Sequence, residues 1–161
     1  MADRTRAAEG RIDRASLIVA APAARVHRAF EDPAAFIAWL PPDGMTGRVF
    51  RYEFHEGGHY EIELIYRDAA TPGIGKTKAR SDVSRGTFLE IVPEERIVMS
   101  AEFESDDPDF VGTMILDWTF EARGPATRVS IAAAQVPPGI GASDHEAGLA
   151  ASLGNLARYL G

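Results

Sequence analysis

The chain contains no cysteine. Disulfide bonds, thiolate nucleophiles and cysteine-ligated metals are therefore outside its chemistry. Basic residues are in the minority: 17 Lys and Arg stand against 24 Asp and Glu, giving a formal net charge of −7. A surface of that sign repels nucleic acid and anionic lipid, so neither is expected as a partner. No apolar run approaches the roughly 20 residues of a membrane-spanning helix. The first eleven residues, Met1 to Arg11, are polar and lack the apolar centre of a secretory signal. These absences lead to the expectation of a cytoplasmic protein, with a flexible tail over residues 1–11 and a single domain over 12–161. Catalytic signatures are also missing. There is no Gly-x-Ser-x-Gly elbow. The stretch Gly73-x-Gly75-Lys76-Thr77 resembles the end of a phosphate loop, but Ala70 stands where the first glycine is needed and no helix follows. No repeat or low-complexity tract divides the chain.

What is present is organised around the last helix, read over Asp144 to Leu160. Leu149, Leu153, Leu156 and Leu160 recur at steps of three and four and make one apolar stripe. Ser143 or Asp144 is positioned to cap it, and Glu146 and Arg158 carry the charges that suit its two ends. Upstream, Ser16 to Ala21 reads as a short strand ended by Pro22, which opens a helix carrying Val26, Ala29 and Phe30. A second short helix over Pro33 to Leu40 carries Phe36, Ile37, Trp39 and Leu40 and is stopped by Pro41-Pro42-Asp43-Gly44.

Strand signals then recur at hairpin spacing. Thr46 to Phe54 has Phe50, Tyr52 and Phe54 in alternation, and Tyr60 to Tyr66 has Tyr60, Ile62, Leu64 and Tyr66. A two-residue Gly57-Gly58 turn would set aromatic residues opposite carboxylates. An odd-length loop over His55 to His59 pairs Phe54 with Tyr60 and matches the faces, so a bulged or five-residue turn is expected. Arg67 to Gly75 is turn-rich, and Lys76 to Val92 reads as a strand interrupted near Ser81–Gly86. Strands follow over Ile97 to Glu104, over Val111 to Ala122 with Met114, Leu116, Trp118 and Phe120 on one face, and over Thr127 to Gln135. Antiparallel hairpins with helices on one face make an α+β domain.

A sheet face this rich in aromatics and methionine, covered by one long helix, is expected to enclose a cavity of a few hundred Å³. Trp39, Tyr60, Ile62, Tyr66, Phe88, Met99, Met114, Trp118, Leu149 and Leu153 are the candidate lining residues, with Phe120 beside them. Methionine adapts to irregular shapes, and tyrosine can turn its hydroxyl inward. Glu90 shares strand parity with Phe88 and Val92, and so reads as an inward carboxylate. Such a group is an acid or base candidate, with Arg96, Tyr60 or Tyr66 as its expected partner. His145, in the first turn of the long helix, is the second candidate and is read as a neutral imidazole at the cavity mouth. His27 is read as a surface residue. His55-Glu56-Gly57-Gly58-His59 with Glu61 and Glu63 has ligand-type side chains, but their spacing fits no firm metal template and is read as a turn. No metal and no cofactor are expected.

These pieces in this order resemble the START-like helix-grip superfamily. Within it they resemble the proteins named for the C-terminal domain of the heat-shock protein 90 ATPase activator. The matching residues are Ala20-Ala21-Pro22 with Val26 and Ala29-Phe30, Asp32-Pro33, Trp39-Leu40-Pro41-Pro42, and Gly57-Gly58-x-Tyr60. Gly86-x-Phe88-x-Glu90-x-Val92-Pro93-x-Glu95-Arg96-Ile97, Gly124-x-x-Thr127-x-Val129, Asp144-His145-x-x-Gly148-Leu149 and Ser152-Leu153-x-x-Leu156 complete the set. Many relatives carry Gly-Trp where this chain has Gly148-Leu149. The resemblance implies a helix-grip fold. That fold is a curved antiparallel sheet of about six to seven strands around a long C-terminal helix, with two short helices after the first strand. It implies function only broadly, across lipid binders, hormone receptors, cyclases and stress-response proteins. The favoured reading is a binder of a small apolar or aromatic molecule. The alternatives are a cyclase- or hydratase-type enzyme using Glu90, a tyrosine or His145, and a protein-interaction module. A homodimer is left open. A chaperone partner is not expected, because 161 residues leave no room for the cochaperone's additional N-terminal domain.

Overall fold

The structure is a computed structural model that describes residues 11–42, 44–66 and 81–161. Residues 1–10 of the tail expected over 1–11, the turn-rich stretch 67–75, the phosphate-loop-like 73–77 and the start of the strand expected from Lys76 lie outside the described residues. Arg11, the last residue of that tail, is described and bound to Asp13 and Ile140.

Among the described residues seven strands form one antiparallel sheet. They are β1 (Ile12–Val19), β2 (Met45–Tyr52), β3 (His59–Tyr66), β4 (Ser81–Val92), β5 (Arg96–Phe103), β6 (Met114–Arg123) and β7 (Ala126–Ala134). Their order is β1-β7-β6-β5-β4-β3-β2, so β2 to β7 is a meander and β1 closes it by pairing with β7. Two short helices, α1 (Ala23–Glu31) and α2 (Pro33–Trp39), link β1 to β2. The long helix α3 (Ala142–Leu160) follows β7 and ends the chain. Alternating apolar residues with tight turns make the meander. The leucine stripe of α3 gives it a helix to wrap.

Helix ends differ from expectation in two places. Pro22 precedes α1 in an extended conformation instead of opening its first turn. Helix α3 starts at Ala142 behind Gly141 with no side-chain cap, so Ser143 and Asp144 sit inside the helix. Asp32 does cap α2, its carboxylate accepting from Ala34 N–H at 3.0 Å. At the far end of α3 the guanidinium of Arg25 donates to the carbonyl of Leu160 at 2.7 Å.

Two bulges overturn simple alternation. In β2, Val49 pairs with Ile62 and Arg51 with Glu61, which leaves Phe50 as the extra residue. Phe50 is exposed, with Arg48 over its ring, while Val49, Tyr52 and Phe54 pack on the core. In β4, Phe88 pairs with Met99 and Glu90 with Val98, leaving Leu89 as the extra residue. Apart from this bulge β4 runs unbroken from Ser81 to Val92, so the expected interruption near Ser81–Gly86 is absent. The β2–β3 connection keeps the predicted parity, but the register is shifted: Tyr60 lies opposite Tyr52, not Phe54. The turn folds onto β4, with Gly57 N–H donating to Phe88 O and Phe88 N–H to Gly58 O, both at 2.8 Å. Glu56 then takes the N–H of Ile91 at 3.0 Å, beside the bulge.

The core is aromatic. Phe30, Phe36, Trp39 and Trp118 are fully buried beneath α1 and α2, and Phe30 meets Trp39 and Trp118 edge to face, 5.0 Å from the centre of each. Leu153, Leu156 and Leu160 of α3 close this side. Towards the N-terminal end of α3 the residues become small or partly buried: Ala101, Ala133, Met114, Leu116 and Leu149. There the sheet and helix stand apart.

Candidate functional site

That separation is a cavity of about 400 Å³, between the sheet face and the first half of α3. Its walls are Ile62 and Leu64 from β3, Met99, Ala101 and Phe103 from β5, and Met114, Leu116 and Trp118 from β6. Phe36 from α2, Leu40 just after it, Met45 of β2 and Phe110 add to them, and Leu149 closes it from the helix. The exposed Gly139, Gly141 and Asp144 also line it, which places the mouth at the β7–α3 loop. The polar groups are few: Tyr60, Asp82, Ser84, Asp144, His145 and Ser152. Among the described residues no Lys or Arg lines it.

Two of these polar groups are already committed to the backbone. Tyr60 donates its hydroxyl to the carbonyl of Ser100 at 2.6 Å, and Ser152 donates to Leu40 O at 2.7 Å. Burial pushes the Tyr60 phenol well above its ordinary value, so it remains a donor. The Trp118 indole N–H is buried and has no partner among the described residues. A buried donor without an acceptor is costly, on the order of 1–3 kcal/mol.

The mouth carries a charged cluster assembled from the two ends of the chain. His145 Nδ1 lies 2.7 Å from Asp13 Oδ2. Arg11 clasps the same carboxylate, Nε to Oδ1 at 3.1 Å and a terminal nitrogen to Oδ2 at 2.9 Å, and donates to Ile140 O at 2.6 Å. Asp13 is buried in β1, its side chain 2% exposed. Burial alone would raise its pKa. The hydrogen bonds from Arg11 and His145 outweigh burial and hold it below the ordinary carboxylate value. The same contact with Asp13 raises Arg11. An ionised carboxylate only accepts, so the Nδ1 of His145 carries the proton between them. On the outer side of the helix start, Glu146 accepts from Arg14 N–H at 3.2 Å.

Of the residues named from sequence, Tyr60, Ile62, Met99, Met114, Trp118, Leu149 and His145 line this cavity. Trp39, Phe88 and Leu153 do not. They are packed into the solid core, and the Trp39 N–H is used on Ala29 O at 3.0 Å. Tyr66 lies further along β3, its hydroxyl 3.5 Å from Asp82 Oδ2. Glu90 is a clear correction. The bulge at Leu89 reverses strand parity, so Glu90 faces away from Phe88, 46% exposed and 3.3 Å from Arg96. Tyr60 and Tyr66 are not its partners, and the inward carboxylate read from the sequence is not there. The His55–His59 turn, with Glu61 and Glu63, brings no group of three ligands together among the described residues. His59 Nδ1 meets Thr87 Oγ1 at 3.1 Å, and Glu63 is held by Arg48 and Ser81, both at 2.8 Å. His27, which was read as surface, is half-buried with its ring against Phe54.

Sequence reasoning missed Asp13, because the periodicity there is weak and its partner is 132 residues away. It also missed the loop Gly139–Gly141 and Phe110. The run Pro137-Pro138-Gly139-Ile140-Gly141 is rich in loop-forming residues, but its place over the cavity depends on β7 and α3 together.

The family model described as activator of Hsp90 ATPase homolog 1-like protein matches residues 20–161. A crystal structure of a protein from Chromobacterium violaceum is 30% identical, with a TM-score of 0.81, covering 92% of this chain and 96% of the other. Two more distant structures share the fold. A protein from Arthrobacter aurescens has 16% identity and a TM-score of 0.76, covering 92% and 85% of the two chains. The AHSA1 protein of Silicibacter pomeroyi also has 16% identity, with a TM-score of 0.75, covering 93% and 97%. No curated protein matches.

Proposed function

The chain belongs to the activator of Hsp90 ATPase homolog 1-like family, and from that premise we propose that it binds a small, mainly apolar molecule in the cavity between the sheet and α3. One observation carries this reading: about 400 Å³ of space, walled by Ile62, Met99, Met114 and Leu149, inside an otherwise tightly packed core. Small-molecule sites are of this size, mostly apolar, with a few fixed polar groups. Burying the ligand's apolar surface would contribute on the order of 25 cal/mol per Å² before the cost of association. Three methionines in the wall, Met45, Met99 and Met114, let it adapt to an irregular shape. The enzymatic alternative loses its sheet carboxylate, since Glu90 lies outside.

The test is a titration of the full chain with the neutral fluorescent probe N-phenyl-1-naphthylamine. Saturable one-to-one binding with a blue-shifted emission is expected, and Ala101→Trp, which fills the space, should abolish it. An absence of saturable binding, or unchanged binding in Ala101→Trp, would overturn the reading.

A further inference from the structure

We propose that His145, oriented by Asp13, accepts a hydrogen bond from the hydroxyl group of a neutral ligand held in this cavity. The inference rests on the binding reading above and adds the chemistry of the ligand's polar end. Nδ1 of His145 is committed to Asp13 at 2.7 Å. In the neutral ring the other nitrogen, Nε2, is then an acceptor. Nε2 has no hydrogen-bond partner among the described residues, although the ring lines the cavity and its side chain is only 15% exposed. Asp13 is itself fixed from its other side by two hydrogen bonds from Arg11, so the imidazole cannot swing freely. This is the arrangement by which a buried carboxylate sets which ring nitrogen is presented.

The charges around the site narrow the ligand class. Asp144 and Glu146 flank His145 on its own helix, Asp13 faces it from β1 with Arg11 just before that strand, and Asp82 lies on the cavity wall. Arg11 is spent on Asp13 and Ile140. A carboxylate or phosphate ligand would meet acidic groups and no free lining cation among the described residues. A pure hydrocarbon would leave Nε2 unmatched. The ligand that satisfies both conditions has an apolar body and one O–H donor.

Three probes of one ring system separate these cases: 2-naphthol, naphthalene and 2-naphthoate, titrated against the full chain. 2-Naphthol is expected to bind about ten-fold tighter than naphthalene, the size of one net hydrogen bond, with 2-naphthoate weakest. In His145→Phe the ratio of the two affinities should fall to about two-fold or less, whatever the altered wall does to the affinity of both. Equal binding of naphthol and naphthalene, tightest binding of naphthoate, or a preference that survives in His145→Phe would each overturn the proposal and leave cavity binding standing. Failure of all three probes would instead remove the binding reading itself, and this proposal with it. If His145→Phe does not fold, the ¹⁵N shift of His145 Nε2 in the unaltered protein decides. It should move with naphthol and not with naphthalene, and no movement with naphthol overturns the proposal.

Discussion

The hydroxyl of Tyr60 donates to the carbonyl of Ser100 at 2.6 Å, reaching from β3 across β4 to β5. Gly86 makes this reach possible. It pairs with Tyr60, and a Cβ at that position would overlap the Ser100 carbonyl oxygen and lie 2.8 Å from Tyr60 Cε2. The missing side chain is the gap through which the tyrosine crosses. Beside it the N–H of Thr87 turns to the Ser100 hydroxyl at 2.9 Å. Gly86→Ala is therefore expected to destabilise by about 2–3 kcal/mol through overpacking. Tyr60→Phe should cost about 1–2 kcal/mol by leaving the Ser100 carbonyl unpaired. Denaturant melts measure both, and the double variant should be less than additive because the two residues share one contact.

The exposed position of Glu90 gives a second prediction. Its carboxylate stands 3.3 Å from Arg96, with both side chains close to half exposed, and Arg96 is also bound in bidentate fashion by Asp117 at 3.0 and 2.7 Å. Exposed pairs of this kind contribute little. Glu90→Gln is expected to change stability by no more than about 0.5 kcal/mol and to leave probe binding unaltered. Deleting Leu89 removes the extra residue and sets Glu90 directly after Phe88 on the opposite face, so Glu90 stays outward and the pairs Phe88–Met99, Glu90–Val98 and Ile91–Ile97 are kept. That deletion should leave the protein folded and cost about 1–3 kcal/mol, through the altered backbone where the β2–β3 turn meets Phe88 and Ile91. A thermal melt of the two variants side by side distinguishes them.

Asp13 makes stability depend on pH in a definite direction. Its carboxyl is held below its ordinary value in the folded protein, against burial, by Arg11 and His145. The unfolded chain therefore binds protons at Asp13 more readily than the folded one. The contribution is fully present above the unfolded value of about 3.9 and is lost as pH falls through the lower, folded value. Glu53 is lowered too, by the His59 N–H and by Arg51, and adds to the same slope. Urea melts from pH 7 to pH 3 should show stability declining below about pH 4. Asp13→Asn should start about 3 kcal/mol lower at pH 7, since Arg11 and His145 lose their buried partner, and fall less steeply in acid.

The sequence made the architecture legible where one period ran unbroken. The leucines of α3 and the Met114, Leu116, Trp118, Phe120 face of β6 are found where the spacing put them. It misled at Phe50 and Glu90 for one shared reason. A bulge inserts a residue without any change in composition, and every side chain beyond it changes face. Leu89 and Phe50 are apolar residues with no local mark of exposure. The cavity was legible as an excess of aromatic and methionine side chains. Which residues fill the core and which line the space depended on how α1 and α2 pack over Trp39, and that is a tertiary matter. Asp13 is invisible beside His145 in one dimension because the contact joins β1 to the start of α3.

The stripe of α3 divides into two parts with separable roles, and this is the sharpest remaining test. Leu153 and Leu156 are 1% and 0% exposed and belong to the aromatic core. Leu149, one turn earlier, is only partly buried and forms the helix side of the cavity. Truncating Leu153 leaves a void among fixed neighbours, so Leu153→Ala should cost about 2–5 kcal/mol. Truncating Leu149 enlarges a space that already exists, removing fewer packed contacts, and Leu149→Ala should cost about 1 kcal/mol or less. Binding should respond in the opposite order. Leu149→Ala is expected to change affinity for N-phenyl-1-naphthylamine several-fold, roughly the worth of a few methylene contacts. Leu153→Ala, measured where it is still folded, should leave that affinity nearly unchanged. Melts and titrations of both variants give a two-by-two outcome. If both leucines moved stability and affinity together, the solid core and the cavity would be one continuous space, and the division of the helix between holding the fold and holding a ligand would be wrong.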